Sequence, residues 1–141
     1  MIENIRVSKK ASNQLITLKK RTRIPNWNTL CRWAFCVSLS EKSLPRDEEI
    51  PADSSIEMTW KTFGGEFEGV YWSLLLERCK NDGLQLDEKT LAKQFRLHLH
   101  RGIGYLVGNK KMYNISDFLQ IGLENKSLSE DSSQDMQLEL T

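Results

Sequence analysis

At 141 residues and 39% hydrophobic content the chain has the size of one domain with a real core, and it offers neither a secretory leader nor an apolar run of about eighteen residues, so export and membrane spanning are set aside. The net charge of +1 hides an asymmetry: residues 1–35 hold Arg6, Lys9, Lys10, Lys19, Lys20, Arg21, Arg23 and Arg32 against the single acid Glu3, a balance of +7. Residues 89–111 add Lys89, Lys93, Arg96, Arg101, Lys110 and Lys111 with no acid, while the acids gather at 41–57 and 124–139.

Such sorting by sign points to a polyanion partner, nucleic acid first, with a merely solvated basic face as the alternative. Cys31, Cys36 and Cys79 are an odd count at spacings that do not converge on a metal, and read as buried, reduced thiols of a cytoplasmic protein.

In chain order, "NIRVS" alternates, with Ile5 and Val7 on one side and Asn4, Arg6 and Ser8 on the other, the period of a short strand. Ser8 is placed to cap a helix over 9–22 with Ala11, Leu15 and Leu18 as its stripe, widened by Ile16. Pro25 is expected to end that helix and Asn26 to cap the next, over 27–39. This second helix has Trp27, Leu30, Cys31, Ala34 and Phe35 on one face and Trp33, Cys36 and Val37 elsewhere, so it must be packed from several directions, by its own chain or by another subunit.

Residues 40–55 hold two prolines, four serines and most of an acidic cluster, and read as a surface loop. "EMTWKTF" is a short strand or a turn of helix, and Gly64-Gly65 a break. A third helix is expected over 66–81, with Phe67, Val70, Tyr71, Leu74, Leu75 and Arg78 at helical spacing and Gly83 as its stop. Asp87 caps a fourth from 88 to 100 or beyond on Leu91, Phe95, Leu99 and Ile103. "GIGYLVG" at 102–108 is open between continued helix and a close-packed irregular segment, and a last short helix is expected at 116–122. The fold class is therefore mainly α, a compact helical domain over 1–123 with a short N-terminal strand, followed by an acidic tail over 124–141 expected to be disordered.

No constellation carries chemistry. His98 and His100 are two apart, so they diverge on a helix and cannot grip one metal; one packed and one solvent-facing ring is expected. "DEK" at 87–89 matches half of a metal-dependent nuclease signature, yet Asp87 stands where a helix cap belongs. "GIGYLVG" spaces its third glycine one position too late for a dinucleotide loop, and Glu66 and Glu68 would repel a phosphate from "FGGEFEG". No catalytic residue, metal or cofactor is expected. Strand, basic helix, tight turn and second helix is also the order of a ribbon-helix-helix regulator, whose paired strands would send Asn4, Arg6 and Ser8 into the major groove.

"RVSKKASNQLITLKKRTRIPNWNTLCRWAFCVSL", "EMTWKTFGGEFEGVYWSLLLERC" and "LHLHRGIGYL" together resemble the DndE family of DNA phosphorothioation systems, over about 5–118. The combination of "IPNWNTLCRWA", "TFGGE" and "HRGIGYL" is specific. The resemblance implies a non-enzymatic subunit that binds double-stranded DNA with a preference for nicks and forms a homotetramer. Its implied partners are a cysteine desulfurase, an ATP pyrophosphatase-like protein and an ATPase. With the charge pattern it nominates Arg6, Lys9, Lys10, Lys19, Lys20, Arg21 and Arg23 as phosphate contacts and Trp27, Trp33, Phe35 and Val37 as the subunit interface. Arg96 and Arg101 are lesser candidates.

Overall fold

A computed structural model describes residues 2–109; the expected helix at 116–122, Lys110, Lys111 and the acidic tail lie outside the described residues. The order is β1 (Asn4–Arg6), α1 (Lys9–Thr22), α2 (Trp27–Ser40), β2 (Glu57–Thr59), α3 (Trp60–Gly64), a 3-10 turn (Gly65–Phe67), α4 (Glu68–Asn81) and α5 (Glu88–Gly108).

β1 pairs antiparallel with β2 of its own chain, Ile5 opposite Met58 and Arg6 opposite Glu57. Ile5 and Val7 point into the core as their alternation requires. Ser8 does not join an outward set: it is buried, and its Oγ accepts from the Ala11 N–H at 3.1 Å to start α1. At the other end α1 stops at Thr22, three positions before Pro25. Arg23 takes the left-handed conformation at φ 59°, and its N–H returns to the Lys19 carbonyl at 2.9 Å. Asn26 sits extended just before the first residue of α2, but its side chain makes no capping bond.

α2 is wrapped by its own chain. Leu30, Cys31, Ala34 and Phe35 are fully buried, and Phe35 lies between Phe63, Tyr71, Phe95 and His98. Phe35 is therefore a core residue and not a subunit contact, because no part of its ring reaches the surface. Cys31 and Cys79 are buried as expected, and burial pushes the Cys31 thiol up to about 12, but Cys36 is exposed.

α5 continues through "GIGYLVG" as helix. A Cβ on Gly102 would lie 1.7 Å from the Ala34 carbonyl oxygen, so the two helix backbones touch there and only hydrogen fits. This contact sets α5 antiparallel to α2, since Gly102 meets Ala34 while His98 meets Ser38.

Asp87 caps α5 by accepting the Thr90 N–H at 2.7 Å, and hydrogen bonding to the Thr90 side chain first, then to this N–H, holds its carboxyl below the usual range. Gly83, at φ 74°, follows α4 as expected. α4 itself departs from expectation. Leu75 and Cys79 turn inward, but Phe67, Val70 and Leu74 stand 56%, 54% and 40% exposed, as does Ile16 of α1 at 40%. The apolar arc of α4 is wider than the one strip its neighbours cover.

Two arginines close the C-terminal end of α2, where bare carbonyls and the helix dipole favour cations. Arg101 donates to the Ser38 Oγ and carbonyl at 2.9 and 2.8 Å, and Arg78 to the Leu39 carbonyl at 2.8 Å. Beneath them the Ser38 hydroxyl meets His98 Nδ1 at 2.8 Å, while His98 Nε2 is buried without a partner. His100 is not solvent-facing: its Nδ1–H donates to the Arg96 carbonyl at 2.8 Å and its Nε2 accepts from the Ser8 N–H at 3.1 Å.

Gly102→Ala is expected to cost about 3 kcal/mol or more, because backbone cannot yield as a side chain would. Gly104→Ala, whose Cβ would meet nothing within 4 Å, should gain roughly 0.5–1 kcal/mol from helix propensity. Urea unfolding of both variants checks the pair.

Burial, and then the Arg78 and Arg101 charges, hold His98 down to about 4 from an ordinary 6.5. In that window the unfolded chain binds a proton that the folded chain refuses, so stability falls as pH drops from 6.5 to 4, by about 3 kcal/mol in all. Unfolding measured across that range should show the slope. It should shrink in His98→Asn without vanishing, since burial also lowers His100.

Candidate nucleic-acid interface

The basic residues nominated from sequence separate into three groups. Arg6 is engaged at the sheet, donating to the Glu57 carboxylate at 2.6 Å and to the Ser54 carbonyl at 3.0 Å. Lys9 and Lys10 project from the first turn of α1, exposed, beside the acidic loop; the Lys9 N–H itself donates to Asp53 Oδ1 at 2.8 Å. Lys19, Lys20, Arg21 and Arg23 cluster at the last turn of α1.

That last turn meets two other helix ends. Lys19 Nζ sits 4.3 Å from the ring centroid of Trp27, the first residue of α2. Arg21 donates to the Val107 carbonyl at 2.8 Å, closing the end of α5. Lys20 and Arg23 are exposed, and among the described residues no ion pair or hydrogen bond engages their side chains. α1 and α2 contain no Asp or Glu at all, and α5 has only Glu88, at its far end. The junction of three helix ends therefore presents cations with no carboxylate among the described residues that build it.

The lesser candidates are structural. Arg96 spans the Arg6 and Ile50 carbonyls, and Arg101 closes α2. Arg32 donates to the Thr62 and Phe63 carbonyls at the end of α3, where Gly65 (φ 58°) keeps clear of its guanidinium. This carbonyl-binding role was invisible in sequence, because the acceptors are main-chain groups of distant segments.

Of the expected interface residues, Trp27, Trp33 and Val37 are half-buried and Phe35 is wholly internal. No group of three or more metal-binding side chains occurs among the described residues, and no described helix is long and apolar enough to cross a membrane. Ser38 and His98 have the spacing of a nucleophile and its base, but both are fully buried and the hydroxyl is bound by Arg101, so no substrate reaches them.

A family model described as DNA sulphur modification protein DndE matches residues 4–114. The crystal structure of DndE from Escherichia coli B7A, described as involved in DNA phosphorothioation modification, is similar with a TM-score of 0.64 at 26% identity, covering 75% of this chain and 98% of that one. A DndE mutant structure, also described as involved in DNA phosphorothioation, is similar in fold with a TM-score of 0.61 at 22% identity, covering 77% and 100%. No curated protein matches the chain at a significant level. With its mainly helical fold and short two-stranded sheet, and with the family match spanning most of its length, the chain belongs to the DndE family of DNA sulphur modification proteins.

Proposed function

We propose that the chain is a non-catalytic, cytoplasmic DNA-binding subunit of the phosphorothioation machinery, engaging the phosphate backbone of duplex DNA, nicked duplex included. The observation that carries this reading is the junction of α1, α2 and α5, free of acids among the described residues, with Lys20 and Arg23 exposed and Lys19 laid on Trp27. Flexible, hydrated cations without base-reading geometry suit backbone contact and tolerate any sequence.

Self-association into a tetramer would repeat the junction and strengthen its field. The apolar area available for it is Trp33 and Val37 of α2, the exposed Phe67 of the 3-10 turn and the exposed Val70 and Leu74 of α4. The cysteine desulfurase, the ATP pyrophosphatase-like protein and the ATPase of the same system are the proposed protein partners. A ribbon-helix-helix regulator is disfavoured, because β1 already has its strand partner in β2 and Arg6 is paired with Glu57.

Binding to random-sequence duplex should be salt-sensitive, with log K falling against log salt by about 0.9 per phosphate contacted. Changing Lys19, Lys20 and Arg23 together to Ala should flatten that slope by roughly 2.7. A salt-insensitive wild type, or a preference of about 10³ for one palindromic site, would contradict the reading. Arg23→Gly separates structure from function: relief of the left-handed backbone should stabilise the fold by about 1 kcal/mol while weakening duplex binding.

A further inference from the structure

The loop between α2 and β2 is anchored at intervals by cations of α4 and α5. Arg78 and Arg101 each reach the Ser43 carbonyl at 2.8 Å. Lys93 pairs with Asp47 at 2.6 Å, and Arg96 holds the Ile50 carbonyl at 2.9 Å. The loop is thereby drawn as a strap past the first turn of α1, where Asp53 Oδ1 takes the Lys9 N–H. Beneath it lies a cavity of about 640 Å³ whose walls carry Lys9, Lys10 and Arg46 together with Glu48, Glu49 and Asp53. A space of that volume is about one Debye length across at physiological salt, so both lysines share it with the carboxylates at a separation that mobile ions screen only in part.

The two ends of α1 thus differ. Among the described residues the last turn faces no acid, and the first turn faces three. We infer that the strap over 44–53 is an internal electrostatic competitor for polyanion. Its acids occupy the field of Lys9 and Lys10 and keep that end of α1 out of backbone contact until they are neutralised or drawn aside by a cationic surface. The duplex then meets the protein at one end of α1 first, and the second end is held in reserve. This inference rests on the duplex-binding reading, which supplies the polyanion.

The test compares the full chain with its Glu48→Gln/Glu49→Gln/Asp53→Asn variant, in which Asn keeps an acceptor for the Lys9 N–H, using labelled random-sequence duplex over a salt series. Circular dichroism and thermal unfolding confirm that both are folded. The variant is expected to bind about tenfold more tightly near 0.1 M salt, with a log–log slope steeper by roughly 1.8 for two added phosphate contacts. Adding Lys9→Ala and Lys10→Ala should erase the gain. A control with three exposed acids changed elsewhere, Glu3→Gln/Glu66→Gln/Glu77→Gln, alters net charge equally and should gain much less. Equal gains from the two triple variants, or no gain over a wild type that does bind, would overturn the strap inference alone. Absence of salt-sensitive binding in every protein would overturn the duplex reading and the inference with it.

Discussion

The close approach of α5 to α2 is the constraint from which the rest of the structure follows. With Gly102 against the Ala34 carbonyl, the helices lie near enough for the tilted rings of Phe35 and Phe95 to pack with centroids 5.1 Å apart and for Ser38 to reach His98. Registering the two helices at that point fixes both of their ends. At one, Arg101 and Arg78 satisfy the carbonyls of α2 and hold the start of the loop. At the other, the last turn of α5 comes beside α1, where Arg21 takes the Val107 carbonyl. The basic junction is thus a consequence of core packing, and its cations are carried on helix ends.

Charge in this protein is divided by side-chain chemistry. A guanidinium is a planar fork able to serve several carbonyls at once, and Arg32, Arg78, Arg96 and Arg101 are all spent in that way, while Arg21 is spent on the single Val107 carbonyl. Lysines are compact, strongly hydrated charges on flexible stems, and Lys9, Lys10 and Lys20 remain exposed. Arg23 is the exception among the arginines of α1 and its turn, and it also sits in an uncommon backbone conformation for a residue with a side chain. The basic surface is accordingly smaller than the charge count of residues 1–35 implies, and better localised.

Caps and periodicity made the strand near 4–8, the helices at 9–22 and 27–39 and a helix from 88 to about 100 legible, because Ser8, Asp87 and the apolar spacing act locally. The choice at "GIGYLVG" was not legible: its glycine is required by the Ala34 carbonyl, which is 68 positions away. The core side of α4 was equally hidden, since periodicity reports a stripe but not which part of it neighbours will cover. Phe35 looked available for another subunit because its partners Phe63 and Phe95 come from distant elements. One of the two histidines was expected to face solvent because the acceptor role of His100 toward Ser8 spans the chain. Of the candidate site, the residue types and the segment could be read, while the division between working and structural cations required the fold.

The central claim is that duplex DNA meets the junction of α1, α2 and α5. Mapping amide chemical-shift changes on the ¹⁵N-labelled protein as random duplex is added tests this directly. The account predicts perturbations centred on residues 19–23, on Trp27 and on 107–109, with β1 unaffected. Perturbations centred on residues 4–8, or none near the end of α1, would contradict it.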